Sequence, residues 1–185
     1  KYCIVTSGCT SALHLAIKSL NIGKGDEVIC PDLTFIAPAN MIVLSGAKLK
    51  LIDINPETLA IDHKKIEKKI TKKTKIIAVT HLSNVTGAIL PIKEITELAH
   101  SKGIPVLIDG CQGAPHLKLD MQDLDCDFYT ISCHKMYGPT GLGILYAKKK
   151  WLEELPPYQG GGGMIKEVKK DNISYGDLPN KYEAG

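Results

Sequence analysis

A lysine and an aspartate each follow an apolar segment of the chain. Lys135 comes after the segment 128–132 and before a loop rich in hydroxyl groups and glycine, and Asp109 ends the apolar segment 104–108. A lysine amine can form a Schiff base with an aldehyde, and a buried carboxylate can keep a pyridine nitrogen protonated. Open α/β sheets bind ligands beyond the carboxyl ends of their strands. The two residues therefore predict a site for pyridoxal 5'-phosphate (PLP), with Lys135 as the catalytic lysine.

The environment of Asp109 supports this interpretation. A carboxylate at the end of an apolar strand is costly unless a cation pairs with it, and a protonated pyridine nitrogen would be such a cation. The alternative is a helix N-cap for the segment after Gly110. Gln112 is close enough along the chain to reach the phenolic oxygen of the cofactor, with a plain surface amide as the alternative.

Two segments predict a phosphate-binding end of the site. The turn 7–11 joins the first predicted strand to the first predicted helix, so Cys9 and Thr10 would place backbone N–H groups and a hydroxyl at a helix N-terminus, which favours anions. Such turns also occur purely as caps. Ser132 and His134 could donate hydrogen bonds to the same phosphate, with a local turn bond as the alternative.

An aromatic residue and an amide complete the predicted cofactor-binding set. Phe35 would begin the second helix near the same edge of the sheet, where its ring could stack on a pyridine ring. Core packing is the alternative for Phe35. Asn84 follows the fourth predicted strand and could bond the ring oxygen or a substrate, with an Asx turn as the alternative.

Short apolar segments alternate with helical patterns, which is typical of a parallel sheet covered by helices. The predicted fold is a three-layer α/β sandwich with a mostly parallel seven-stranded sheet. The predicted strands are 2–6, 27–30, 48–53, 75–80, 104–109, 128–132 and 143–147, and the predicted helices are 10–20, 35–44, 64–70 and 92–102. We expect residues 1–155 to form a large domain. Residues 156–185 would form a loop and partial continuation toward a small C-terminal domain that this sequence lacks.

Composition excludes several classes of function. The 23 basic residues nearly balance the 20 acidic ones, giving a formal net charge of +3, which does not indicate a nucleic-acid partner. No apolar segment is long enough to span a bilayer, so we expect a soluble protein with no membrane partner. The six cysteines form no Cys-x-x-Cys pair and there is no paired histidine spacing. This pattern predicts no metal site, no disulfide framework and a reducing, cytoplasmic location.

From about Thr80 onward the sequence resembles cysteine desulfurases and selenocysteine lyases of the aminotransferase class V group. The resemblance rests on Thr-His-Leu-Ser-Asn-Val-Thr-Gly, Val-Leu-Ile-Asp-Gly-Cys-Gln-Gly, His-Lys-Met-Tyr-Gly-Pro-Thr-Gly-Leu-Gly and Gly-Gly-Gly-Met-Ile. It implies a fold type I PLP enzyme, a homodimer with a possible sulfur-acceptor protein, that converts L-cysteine to L-alanine and an enzyme-bound persulfide. It also implies Lys135 as the Schiff-base lysine, Asp109 on the pyridine nitrogen, and four further contacts: Asn84, Gln112, Ser132 and His134.

Residues 6–70 are more similar to the DegT-type nucleotide-sugar aminotransferases. This resemblance rests on Ser-Gly-Cys-Thr-Ser-Ala-Leu-His-Leu-Ala and Leu-Thr-Phe-Ile-Ala-Pro-Ala-Asn, and Phe35 stands where desulfurases usually carry a stacking histidine. The chain contains no arginine and no cysteine after Cys133, so the desulfurase family's substrate-binding arginine and nucleophilic cysteine have no counterpart here. Transamination of a nucleotide-linked keto sugar is therefore a second predicted function. A PLP-binding fragment without catalysis is the third.

Overall fold

The computed structural model describes residues 2–154 and 156–183 and contains one large sheet and one hairpin. The large sheet has seven strands in the order β1-β7-β6-β5-β4-β2-β3. Its strands are β1 (Tyr2–Thr6), β2 (Glu27–Pro31), β3 (Lys48–Ile52), β4 (Thr74–Thr80), β5 (Val106–Asp109), β6 (Phe128–Ser132) and β7 (Gly143–Ala147).

Strands β2 to β6 are parallel to one another, and β7 is antiparallel to both of its partners, β1 and β6. Parallel strands need crossover connections, which helices provide. The helices are α1 (Cys9–Ser19), α2 (Ile36–Leu44), α3 (Ile66–Lys69), α4 (Ile92–Ser101), α5 (Gly113–His116), α6 (Met121–Leu124) and α7 (Lys149–Glu154).

Helices cover both faces of the sheet. Leu13 and Ile17 of α1 pack with Phe128 of β6 in one buried cluster. Ile92 and Ile95 of α4 pack with strand residues in a second buried cluster. The predicted three-layer α/β sandwich with a mostly parallel seven-stranded sheet is confirmed.

The two-residue period of the strands decides which side chains face α1. In β5, Leu107 belongs to the α1 cluster, whereas its neighbours Val106 and Ile108 belong to the α4 cluster. Side chains two residues apart on a strand share a face. Asp109 therefore faces α1, and on β6 the same alternation brings Ser132 to the α1 side.

A buried carboxylate ties the elements around β5 and β6 together. Asp127 is fully buried, and its carboxylate lies 2.7 Å from Nε2 of His100 and accepts hydrogen bonds from Nε1 of Trp151 at 2.8 Å and the backbone N–H of Val106 at 3.0 Å. Although burial opposes ionisation, these hydrogen bonds lower the pKa of Asp127 below its usual range. Asp127 thereby joins α4, α7 and β5.

Two predicted elements differ from the structure by more than one residue, and the short helices α5, α6 and α7 and a hairpin were not predicted. In place of the helix predicted over 64–70, the structure has a 3-10 turn, His63–Lys65, followed by the short helix α3. Helix α3 ends at Lys69 because Ile70 has extended backbone angles. Strand β5 begins two residues later than predicted. The segment predicted as a loop contains a hairpin of β8 (Ile165–Lys169) and β9 (Asn172–Tyr175).

The C-terminal segment also packs back on the large sheet. Tyr182 is buried in the α1 cluster and donates a hydrogen bond to the carbonyl oxygen of Leu152 at 2.9 Å. The boundary proposed at residue 155 and the last two residues, 184 and 185, lie outside the described residues. Among the residues that the structure describes, no helix has both the length and the apolar character needed to cross a membrane.

Candidate cofactor site

A cavity of about 240 Å³ opens at the carboxyl ends of the parallel strands. Strands β4, β5 and β6 end there at Thr80, Asp109 and Ser132. All nine predicted site residues line this cavity, and they are Cys9, Thr10, Phe35, Asn84, Asp109, Gln112, Ser132, His134 and Lys135. The fold thus brings together residues from five separate segments of the chain.

Asp109 forms part of the buried wall of the cavity. Its side-chain Oδ1 accepts a hydrogen bond from the backbone N–H of Cys111 at 3.0 Å. Helix α5 begins later, at Gly113, with Gln112 before it, so Asp109 is not the N-cap of that helix. No ion pair between described residues involves Asp109. The carboxylate is therefore available to a cationic ligand.

Lys135 ends a short 3-10 turn that directly follows β6. The carbonyl oxygen of Cys133 accepts hydrogen bonds from the backbone N–H groups of Met136 and Gly138, both at 2.8 Å, which fixes the turn. The Nζ atom of Lys135 lies 5.4 Å from the centroid of the Phe35 ring. Phe35 is 52% exposed, so it is not a core residue, and its ring is available to a planar ligand.

The N-terminus of α1 reaches the cavity beside β6. Gly8 precedes the helix without any side-chain cap, and the backbone N–H of Cys9 donates to Oγ of Ser132 at 3.1 Å. This hydrogen bond joins residues that are distant in sequence, so it is not the local turn bond that was the alternative for Ser132. Thr10 and His134 lie on the same wall and are exposed.

Close backbone approach holds the start of α1 in place. Gly143 pairs with Ser132 across the sheet, and a Cβ atom at position 143 would lie 2.6 Å from Cα of Gly8 and 2.8 Å from its carbonyl oxygen. Because these are backbone atoms, no side-chain rotation could relieve the overlap. Glycine at position 143 is thus what allows α1 to begin so near Ser132.

Asn84 and Gln112 also border the cavity. The loop around Asn84 is held by Ser83, whose Oγ accepts the backbone N–H groups of Val85 and Thr86 at 3.3 and 3.2 Å. An Asx turn of Asn84, the alternative considered from the sequence, is therefore not needed to form this loop. Asn84 is exposed and Gln112 is half-buried, and both border the cavity.

Two thiols lie beside the Asp109 carboxylate. Cys9 Sγ is 3.7 Å from Oδ1 of Asp109 and 3.2 Å from Oγ1 of Thr130. A hydrogen bond with the Cys111 thiol, together with burial and the charge of Asp109, raises the pKa of Cys9. The same hydrogen bond lowers the pKa of Cys111. Cys111 is therefore the more readily ionised of the two thiols.

A buried pair of rings supports the turn after Asp109. Nδ1 of His81 lies 2.9 Å from the hydroxyl oxygen of Tyr129, a hydrogen-bond partner that sequence reasoning did not find for His81. Burial lowers the pKa of His81, which favours the neutral ring. The Tyr129 ring occupies the space that a side chain at Gly110 would need, with Cδ1 2.6 Å from the added Cβ. The turn therefore requires glycine at position 110.

Four further residues line the cavity without having been predicted from the sequence: Ala37, Thr80, Leu82 and Cys111. Thr80 pairs with Asp109 across the sheet, so its place at the end of β4 was a usable signal. Cys111 is two residues beyond Asp109, but the local sequence did not indicate which way its side chain points.

Comparison with known proteins agrees with this fold. The family model described as aminotransferase class-V matches residues 1–185. A probable cysteine desulfurase of Halalkalibacterium halodurans is 43% identical over 190 residues, covering 98% of this chain and 46% of that protein. A cysteine desulfurase of Shigella sonnei is 40% identical over 98% of this chain. The chain spans about half the length of the curated relatives it matches.

A solved structure of the cysteine desulfurase CsdA from Escherichia coli superposes with a TM-score of 0.88 at 35% identity, covering 99% of this chain and 47% of that one. The family match runs through residues 6–70, where the similarity to DegT-type enzymes stays a prediction. Since the family model covers every residue of the sequence, the chain belongs to the aminotransferase class-V family.

Proposed function

We propose that this chain forms the PLP-binding large domain of a cysteine desulfurase-like enzyme. The whole enzyme would convert L-cysteine to L-alanine and an enzyme-bound persulfide. One observation carries the proposal: the Lys135 amine and the buried Asp109 carboxylate line the same cavity at the carboxyl edge of the sheet. Relatives named cysteine desulfurases at 40 to 43% identity support the choice of reaction.

The residues around the cavity fit PLP. The cofactor has an aldehyde, a basic ring nitrogen and a phosphate, and these groups match a lysine amine, a buried carboxylate and a helix N-terminus. Asp109 is 7% exposed and has no ion-pair partner in the described part of the chain, so a protonated ring nitrogen would satisfy it. Thr10, Ser132 and His134 would hold the phosphate.

Each residue of the site then has a distinct task. When bound, PLP supplies an electron sink for carbanion chemistry at the amino acid. The Nζ atom of Lys135 would hold the cofactor aldehyde and would move a proton at the Cα atom of the substrate. Asp109 would keep the ring nitrogen protonated. Phe35 would stack on the ring, and Asn84 and Gln112 would donate hydrogen bonds to the cofactor.

Two groups of the complete reaction are assigned to no residue of this chain. The desulfurase reaction needs a cysteine thiol to receive the sulfur and a cation to hold the substrate carboxylate. The sequence contains no arginine, and we assign the persulfide to none of its six cysteines. We therefore propose the full activity for the whole protein, and only cofactor binding for these 185 residues.

We further propose a homodimer, in which a second copy covers the mouth of the site. Apolar side chains beside the cavity are exposed: Phe35 is 52% exposed, and Ile36 at 61% and Val85 at 82% line a neighbouring pocket that also includes Phe35. A contiguous exposed apolar surface commonly marks a protein interface. All six cysteines are free, which fits a reducing, cytoplasmic location. We also propose a sulfur-acceptor protein as a further partner.

A second candidate function is transamination of a nucleotide-linked keto sugar. The similarity of residues 6–70 to DegT-type enzymes favours it, as does the aromatic Phe35 at the cavity wall. A non-catalytic PLP-binding domain is the third candidate. Alanine and sulfide release from L-cysteine by the whole protein would support the desulfurase, amino transfer to a keto sugar would support the second, and neither activity with intact PLP binding would support the third.

Lys135 is tested by cofactor attachment. The purified chain incubated with PLP should develop the visible absorbance band of the lysine-bound cofactor. Borohydride reduction followed by mass spectrometry should then find the label on Lys135. Lys135→Ala should lose both signals, whereas the control Lys166→Ala, on exposed β8, should keep them. An unchanged band in Lys135→Ala would refute the assignment of this lysine.

A further inference from the structure

Two thiols and a carboxylate meet in the buried wall of the cavity. Cys9 is the first residue of α1, Asp109 the last of β5, and Cys111 follows two residues later. A sulfur or oxygen atom from each of them lies within 4.8 Å of the others. The three residues are 5%, 7% and 7% exposed, yet all border the cavity, so a small ion could reach them from solvent.

The spacing of these atoms suits a tetrahedral metal ion. Zinc binds cysteine sulfur at about 2.3 Å and carboxylate oxygen at about 2.1 Å, so a sulfur and an oxygen on one tetrahedral zinc are about 3.6 Å apart. Cys9 Sγ and Asp109 Oδ1 are 3.7 Å apart. Two thiolates on one zinc are about 3.8 Å apart, which is inside the 4.8 Å limit for the group.

The charge of the site favours a cation over oxidation of the two thiols. Asp109 has no ion-pair partner within residues 2–154 and 156–183, and it accepts hydrogen bonds from the backbone N–H of Cys111 and from the Cys9 thiol. A buried carboxylate without an opposite charge is costly. A disulfide between Cys9 and Cys111 would leave that charge unpaired, whereas a divalent cation would neutralise it.

We propose that the cofactor-free chain binds one soft divalent cation of the zinc type through Cys9, Cys111 and Asp109. Three protein ligands leave a fourth position for water. Both thiols lose a proton to solvent when the ion binds, as thiolate ligation requires. The metal site shares Asp109 and Cys9 with the proposed cofactor site, but metal binding itself does not depend on the proposed enzymatic function. Because it uses Asp109, bound metal and bound PLP would exclude each other.

Cadmium is a suitable probe, since cadmium thiolates absorb in the ultraviolet. The reduced, chelator-treated, PLP-free chain is titrated anaerobically with Cd²⁺, and Zn²⁺ affinity is measured by competition with a coloured chelator. The band should saturate at one ion per chain. Cys9→Ser and Cys111→Ser should each weaken binding by at least about tenfold. Cys126→Ala removes a buried thiol from the α4 side of the sheet and should leave binding unchanged.

A second measurement needs no variant. Alkylation followed by mass spectrometry should show Zn²⁺ protecting Cys9 and Cys111 but not the exposed Cys3. Absence of a thiolate band, or full binding in both serine variants with native circular dichroism, would overturn the proposal. The proposal would also be overturned if Cys9 and Cys111 formed a disulfide on oxidation while the reduced chain bound no Cd²⁺.

Competition with PLP separates this proposal from the enzymatic one. A chain saturated with PLP should bind Cd²⁺ at least about tenfold more weakly; equal binding would overturn the mutual exclusion. If PLP fails to bind while Cd²⁺ still requires Cys9 and Cys111, the enzymatic proposal fails and the metal site stands. If PLP binds through Lys135 but Cd²⁺ binding does not require Cys9 and Cys111, the metal-site proposal fails and the enzymatic proposal stands.

Discussion

Replacing Gly143 by alanine should destabilise the chain and loosen the start of α1. The carbonyl carbon of Gly8 would be the atom nearest to the added Cβ, and Cα of Gly8 would lie 2.6 Å away, whereas ordinary contacts begin near 3.4 Å, so the backbone must separate by at least about 0.8 Å. A shift of that size would stretch the hydrogen bond from Cys9 N–H to Ser132 Oγ from 3.1 Å to about 3.9 Å, which breaks it.

The two effects add to a measurable loss. Overpacking costs about 1 to 3 kcal/mol and a lost hydrogen bond about 1 kcal/mol, so the free energy of unfolding should fall by about 2 to 4 kcal/mol. For a domain of this size the melting temperature should drop by roughly 5 to 15 °C. Urea and thermal unfolding followed by circular dichroism measure both quantities.

Gly8→Ala is the matched control, because a Cβ at position 8 would meet nothing within 4 Å and the residue has extended backbone angles. It should change the free energy of unfolding by less than about 0.5 kcal/mol. The reasoning is refuted if Gly143→Ala is as stable as the original chain, or if Gly8→Ala is equally destabilised. Gly143→Ala should also weaken PLP binding, since it displaces the proposed phosphate-binding turn.

Three further changes test other parts of the fold and site. Asp127→Asn should lower the free energy of unfolding by about 3 to 5 kcal/mol at pH 7. Because the folded-state pKa of Asp127 is lowered, its contribution is complete above the ordinary carboxyl pKa of about 4 and is lost as pH falls through the lower folded value. The difference in urea midpoint between the original chain and Asp127→Asn should therefore be smaller at pH 3 than at pH 7, and an equal difference at both pH values would contradict this. Phe35→Ala should weaken PLP affinity about two- to tenfold while Phe35→Tyr retains it, as measured by fluorescence titration; equal affinities would remove the ring-stacking role. Gly110→Ala would overlap the Tyr129 ring and should raise the PLP dissociation constant at least about tenfold, so unchanged binding would show that this turn does not position Asp109.

The inner parallel strands β2, β4, β5 and β6 were predictable because they are almost entirely buried. All five residues of β2 are buried, and so are all four of β5, which produces the continuous apolar segments typical of parallel strands. The hairpin of β8 and β9 was missed for the opposite reason. Every residue of β8 is exposed, so its sequence carries no buried-face pattern to recognise.

The candidate site was predictable where a functional residue directly follows a strand. Asp109 and Ser132 end β5 and β6, and Lys135 follows within three residues, so their position at one edge follows from the parallel order. The thiol pair was not predictable in this way. Cys9 and Cys111 are about a hundred residues apart, and a search for local cysteine spacing could not find them.

The amino-acid sequence by itself determined the α/β class, the carboxyl edge of the sheet and the residue types that gather there. These features depend on local periodicity and on the order of residues along single segments. Only the tertiary structure decided that Cys9, Cys111 and Asp109 share one buried wall, and that His81 supports the turn through Tyr129. Those contacts depend on strand register and on how closely α1 approaches Gly143. Both are determined by packing between segments that are distant in the sequence.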